Sequence, residues 1–204
     1  MHRRRFGVVV LAGGRATRLP GKLTADAGDA PLVVRVFRNF RNSPCEIVVA
    51  SSRDLAPIMT MLVDTPVVVD AEESRGPVAG LLAAFETMRS TTIFAVAGDA
   101  PYLDAAFATR LAALWRDGDE ALVPIHTTAT GETRIEYLAA LYDRDAFIRE
   151  GTSVLREGRG ALHLVIERLR ARFVTVDDDE RLFTNVNTPD DYAAFLARLA
   201  QETP

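Results

Sequence analysis

Short β-branched runs recur along this chain, and between them apolar positions return at helical spacing. Runs at 6–12, 46–50, 66–69, 92–97, 121–124, 137–142 and 173–176 predict strands. Helical periods predict helices over 32–40, 55–62, 77–88, 105–115, 144–150, 161–169 and 189–200. Strand and helix alternate, which predicts an α/β fold: a three-layer sandwich around a mostly parallel, Rossmann-like sheet. No linker, internal repeat or low-complexity stretch interrupts the pattern, so residues 1–204 read as a single domain.

Two helix starts carry clear signals. Gly76-Pro77 puts proline at the first helical position, and Val78, Leu81, Leu82, Phe85 and Met88 then form one apolar stripe for the core. The last helix opens with Thr188 as N-cap, then Pro189, then Asp190 and Asp191 where the helix dipole favours acids. The middle breaks the alternation. Residues 121–142 read as two strands around a turn-rich stretch at 126–133, which predicts a hairpin or lid.

Composition narrows the function classes. The 204 residues are 48% hydrophobic and 25% charged, enough for one well-packed core. The single cysteine, Cys45, excludes an internal disulfide framework and a cysteine-based zinc site, and it fits a reducing intracellular setting. Three arginines followed by Phe6–Ala12 superficially resemble a signal peptide, but the apolar stretch is short and Arg15 and Arg18 follow at once. It reads as a buried first strand. No apolar run approaches the roughly 20 residues of a membrane span, so no membrane association is expected.

Charge is uneven. Residues 1–41 hold nine Lys/Arg against two Asp/Glu, a net of +7, which leaves −11 over the rest. A basic first segment on an acidic protein suits a small phosphorylated ligand, whereas nucleic acid calls for a broader positive footprint. Of the 24 Lys and Arg residues only Lys22 is a lysine. It ends a glycine-containing loop after the first strand, where a compact ammonium can approach a phosphate oxygen.

Ligands of an open parallel sheet bind at the carboxyl ends of its strands. Three polar sites fall there: the Gly13-Gly14 loop, Asp70 after the third apolar run, and Gly98-Asp99-Ala100-Pro101 after the fourth. Gly-Asp-Ala-Pro is a stable turn in its own right, and Asp70 could serve as a cap. Together, two carboxylates and a basic glycine loop suggest Mg²⁺ with phosphates. A Walker A loop is excluded, because Leu23 follows Gly21-Lys22 where a hydroxyl is needed. The adjacent glycines also fail the Gly-x-Gly-x-x-Gly dinucleotide pattern. His2, His126 and His163 are scattered and make no metal motif.

The ordered motifs resemble the molybdenum cofactor guanylyltransferase family, nucleotidyltransferases with a Leu-Ala-Gly-Gly signature. The matching segments are Leu11-Ala12-Gly13-Gly14 with Arg18 and Lys22, then Asp70, then the 76–81 segment Gly-Pro-Val-Ala-Gly-Leu. Gly98-Asp99-Ala100-Pro101-Tyr102-Leu103 and Asn185-Val186-Asn187-Thr188-Pro189 complete the series. The resemblance covers nearly the whole chain. It implies a nucleotide-diphospho-sugar-transferase-like fold and a cytoplasmic enzyme that transfers GMP from GTP to the phosphate of molybdopterin, releasing pyrophosphate.

In that family's terms GTP lies against Leu11, Ala12 and Gly13, and Asp70 lies in the nucleotide pocket. Lys22 and Arg18 neutralise phosphates, Asp99 holds Mg²⁺, and Asn185 and Asn187 face the second substrate. The resemblance also implies transient contact with proteins that deliver the cofactor or with molybdoenzymes. Two departures stand out. Leu19-Pro20-Gly21 is a shorter insert than the family's between Arg18 and Lys22, and Ala50-Ser51-Ser52 stands where the family carries an Asn toward guanine. They keep two alternatives open: CTP or a sugar- or alditol-phosphate acceptor with the same chemistry, and a non-catalytic nucleotide-binding homologue.

Overall fold

The computed structural model describes residues 5–12, 23–24, 28–43, 45–51, 55–62, 65–69, 76–177 and 180–202. The elements in chain order are β1 (Gly7–Leu11), α1 (Leu32–Arg41), β2 (Ile47–Ser51), a 3₁₀ turn (Ala56–Met61), β3 (Val67–Val69), α2 (Pro77–Thr87), β4 (Thr92–Ala97) and α3 (Ala105–Ala113). They continue with β5 (Ala121–Thr127), β6 (Thr133–Ile135), β7 (Ala139–Asp143), α4 (Arg144–Arg156), α5 (Leu162–Ile166), β8 (Ala171–Thr175), a second 3₁₀ turn (Glu180–Phe183) and α6 (Pro189–Glu202).

All eight strands form one sheet in the order β3-β2-β1-β4-β7-β5-β6, with β8 on β5. The half from β3 to β4 is parallel, as the β-branched runs predict. β7 is antiparallel to both β4 and β5, so β5 points the same way as β4. The carboxyl ends of β1, β4 and β5 therefore share one edge of the sheet. β8 runs parallel to β5 on the side opposite β6 and β7.

Period-two alternation splits the core into two layers. Val8, Val10, Phe94 and Val96 face α1 and α3, while Val9, Leu11, Ile93 and Ala95 face α2, α4 and α5. This is the expected three-layer sandwich. A third, small cluster of Leu32, Val186 and Phe195 seats α6 on the start of α1.

The capping signals read from sequence are present. Gly76 has φ +72°, and a Cβ there would lie 2.7 Å from the Gly160 carbonyl oxygen, so only glycine can precede Pro77. At α6 the Thr188 hydroxyl accepts from the Asp191 amide at 3.1 Å, and the Asp191 carboxylate accepts from the Thr188 amide at 2.8 Å. That reciprocal pair is a capping box. Three segments differ from the sequence reading. The apolar period at 55–62 forms a 3₁₀ turn, the helix expected over 144–150 runs on to Arg156, and a third strand, β6, precedes the expected 137–142 run, which forms β7.

Candidate functional site at the carboxyl edge of the sheet

The chain crosses itself closely where β1 and β4 end. Gly98, the first residue past β4, donates its amide to the Leu11 carbonyl at 2.9 Å. The Ala12 amide donates to the Ala50 carbonyl at 2.7 Å, which ties the same point to β2. The buried Ser51 hydroxyl reaches back to the Ala12 carbonyl at 3.4 Å. Leu11 and Ala12 thus present carbonyl oxygens, each of which accepts one hydrogen bond from the described residues and has two lone pairs. Such acceptors suit a base edge that carries donors.

Asp99 sits half-buried in the turn that follows, and four independent contacts hold that turn. The Ala100 amide closes it on the Ala97 carbonyl at 3.1 Å. Asn39 of α1 donates to the carbonyls of Pro101 and Leu103, at 2.8 and 2.9 Å. Tyr102 packs edge-on against Phe195 and beneath the Arg181 guanidinium, 4.6 Å from the ring centre. The Val186 amide donates to the Asp99 carbonyl at 2.9 Å. That last bond brings Asn185 and Asn187, separated by over 80 residues in sequence, beside the Asp99 turn.

Next to this turn lies a polar pocket of about 260 Å³. Asn185, Asn187 and Asp191 line one side, and His126, Arg134 and Glu136 of the β5–β6 hairpin line the other. His126 is buried to 4% exposure, and its Nε2 lies 2.9 Å from a Glu136 carboxylate oxygen. Phe183 stacks on the imidazole at 4.5 Å with an 18° interplanar angle. The carboxylate of Glu180 accepts from the Ala129 amide at 2.9 Å and ties the hairpin's turn to the second 3₁₀ segment.

The structure therefore gathers Leu11, Ala12, Asp99, Asn185 and Asn187 of the residues singled out in sequence. Gly13, Arg18, Lys22 and Asp70 lie outside the described residues. Asn39, His126, Arg134 and Glu136 were not among those residues as site members. The only signal toward them in the sequence is the hairpin expected over 121–142, which brings that segment back on itself without pairing 126 with 136. As for a metal, Asp99 supplies the hard oxygen that Mg²⁺ prefers. No group of three or more His, Cys, Asp or Glu able to hold a metal occurs among the described residues. This donor set fits a cation held largely by substrate phosphates rather than by a protein cage. Among the described residues no helix is long and apolar enough to cross a membrane.

Comparison with known proteins agrees with this geometry. The family model described as the MobA-like NTP transferase domain matches residues 8–172. A probable molybdenum cofactor guanylyltransferase of Natronomonas pharaonis is 33% identical over 211 positions, covering 96% of this chain and 98% of its own. A molybdenum cofactor guanylyltransferase of Ralstonia pickettii is 27% identical, covering 88% and 90%. Among solved structures, molybdopterin-guanine dinucleotide biosynthesis protein A of Archaeoglobus fulgidus superposes with a TM-score of 0.77 at 22% identity, covering 96% of this chain and all of its own. With the ordered motifs, the three-layer fold and these matches in agreement, the chain belongs to the MobA-like NTP transferase family.

Proposed function

We propose that this nucleotidyltransferase transfers GMP from GTP to the terminal phosphate of molybdenum cofactor. An acceptor phosphate oxygen attacks the α-phosphorus of GTP, a new P–O bond forms, and the α–β bridging P–O bond breaks to release pyrophosphate. The nucleophile is already an anion, so the protein needs no general base; it must position two anions and neutralise charge. The observation that carries this reading is the Val186–Asp99 bond, which sets the Asn185–Asn187 pair against the turn after β4.

Guanine brings its N1–H and 2-amino donors to the carbonyls of Leu11 and Ala12, with Gly13 continuing that contact. Lys22 and Arg18 neutralise the phosphates, and Asp70 borders the nucleotide. Asp99 holds Mg²⁺, which when bound draws charge from the phosphate oxygens. Asn185 and Asn187 donate amide hydrogens to the acceptor. A cytidylyl reading has one point in its favour, Ala50-Ser51-Ser52 where the family carries an Asn toward guanine. The Ser51 hydroxyl lies 3.4 Å from the Ala12 carbonyl, one of the proposed base-reading oxygens.

The deciding experiment is pyrophosphate release with each of the four NTPs, with and without molybdenum cofactor. GTP should support release only with the acceptor present, and a response to CTP alone would reverse the choice of nucleotide. Asp99→Ala and Lys22→Ala should each lower turnover by about 10²–10³, the typical loss for one electrostatic contact of this kind. Both should leave thermal unfolding intact. A near-wild-type rate in either would overturn its assigned role.

A further inference from the structure

The pocket beside the Asp99 turn holds a carboxylate–imidazole pair for which phosphoryl chemistry has no use. A carboxylate oxygen accepts, so His126 Nε2 carries the hydrogen and donates it to Glu136. His126 Nδ1 is then buried with no hydrogen-bond partner among the described residues. A histidine serving only to fill the core has no reason to carry an orphaned ring nitrogen. One placed to aim a neighbour does, and the Phe183 stack fixes the ring in the plane that this aim requires.

Glu136 is what is aimed. Its Oε1 faces His126, its side chain is 19% exposed, and it lines the pocket. Each carboxylate oxygen has two acceptor sites, so acceptor capacity remains on both oxygens. His126 stands on the carboxyl half of β5, on the same sheet edge as Asp99, Glu136 follows directly after β6, and Asn185 and Asn187 line the pocket across from them.

A buried-side carboxylate with spare acceptor sites, faced by amide and guanidinium donors, complements one heterocyclic edge well. The 2-amino-4-oxo edge of a pterin offers adjacent N3–H and 2-amino donors to a carboxylate, and its 4-oxo group takes a donor. We infer that Glu136 reads this edge of a pterin-class acceptor and that His126 is the positioning residue for its carboxylate. The inference rests on the proposed transfer to a pterin-bearing cofactor and adds the residues that select the acceptor.

Two probes test it. Fluorescence titration compares pterin with lumazine, which has a carbonyl in place of the 2-amino group. The wild-type protein should bind pterin at least about tenfold more tightly, because a site built to accept a hydrogen bond rejects an analogue that cannot donate it. Glu136→Gln, isosteric and half amide, should abolish or invert that preference. His126→Phe, which keeps the stack on Phe183, should lose it, and His126→Gln, which keeps an N–H donor, should regain part of it.

In the transfer assay Glu136→Gln should raise KM for molybdenum cofactor about tenfold or more and leave KM for GTP unchanged. Equal binding of the two probes, or binding of neither, overturns the inference, as does an unchanged acceptor KM in Glu136→Gln. If pterin preference holds but the wild type transfers nothing from GTP, the proposed function falls and the pterin site stands. If transfer is robust and pterin preference absent, the reverse is true.

Discussion

Two glycines touch Leu11 from opposite sides, and replacing each with alanine should have opposite consequences. A Cβ on Gly98 would lie 3.1 Å from the Leu11 carbonyl oxygen and 3.4 Å from both Ala12 Cα and Val33 Cγ2. Two of these three neighbours are backbone atoms of the strand end that carries the proposed base-reading carbonyls. They can yield only by moving β1 away from β4. Overpacking of this kind costs about 1–3 kcal/mol, which in a chain of this length lowers Tm by roughly 2–12 °C.

A Cβ on Gly80 would come still closer, 2.8 Å from Leu11 Cδ1. That atom is the free end of a rotatable side chain, and it can turn aside. Gly80 also lies within α2, where alanine is favoured over glycine by about 1 kcal/mol. Gly80→Ala should therefore leave Tm unchanged or raise it by roughly 2–4 °C.

The two variants also differ in function. A misplacement of 1 Å at a reacting centre costs about 10² in rate. A shift of a few tenths of an ångström at Leu11 and Ala12 should then cost Gly98→Ala about three- to tenfold in kcat/KM for GTP. Gly80→Ala should stay near wild type. Thermal unfolding followed by calorimetry, with pyrophosphate release at varied GTP, reads both effects. Equal Tm changes in the two variants, or a wild-type Tm and rate in Gly98→Ala, would refute the argument that backbone proximity at this crossing is what glycine serves.

Asn39→Ala removes both side-chain donors from the Asp99–Leu103 turn. It should cost about 1–3 kcal/mol and slow transfer while leaving acceptor and nucleotide affinities nearly unchanged, which calorimetry and kinetics separate. Glu46 accepts from the amides of Arg89 and Ser90 and from the Ser90 hydroxyl, at 2.8–3.1 Å. Burial alone would raise its pKa, but these hydrogen bonds together bring it below the ordinary glutamate value. A depressed carboxylate stabilises the fold above its unfolded pKa, and that contribution fades as pH falls through the folded one. Glu46→Gln should be about 1 kcal/mol less stable than wild type at pH 7. The gap should close as pH drops below about 4; a gap constant from pH 7 to 3 would remove Glu46 from the account.

Most elements were legible because their periods are strong and their ends are marked. Thr92–Ala97 carries six buried residues in a row, and the Thr188 capping box states its helix start in four letters. The misses have local physical causes. At 55–62 the apolar spacing is real, since Leu55, Ile58 and Leu62 are buried. Pro57 lacks an amide donor, and the Ile58 amide bonds three residues back to Leu55, so the segment closes as a 3₁₀ turn. Helix α4 runs on past 150 through Gly151, which reads as a terminator. A Cβ at 151 would press on Leu82 at 3.2 Å, so this glycine lets α4 approach α2. The return from the hairpin splits in two opposite Pro124, which can accept a ladder bond from Glu136 but cannot donate one.

That split also explains why half of the site escaped a reading by motif. The proposed nucleotide half is built from parallel strands, whose ends are followed at once by loops at the sheet edge. Position in sequence there maps directly to position at the sheet edge, so the Asp99 turn can be found by its place after a strand, while Leu11 and Ala12 enter through the family resemblance. The proposed acceptor half is built from antiparallel β5 and β6, where partners are set by register. His126 stands opposite Arg134, and Glu136, two residues on and on the same face, lies diagonal to His126 with its carboxylate on the imidazole. No spacing rule pairs residues 126 and 136. A register shift of one would put His126 on the other face of the sheet. Recognition of the acceptor, on this view, depends on that register, and Pro124, opposite Glu136 and without an amide donor, marks where the ladder ends. A Pro124→Val substitution that restores a continuous return strand should weaken pterin binding while sparing GTP binding, and pterin affinity unaltered in such a variant would detach the pocket from the break.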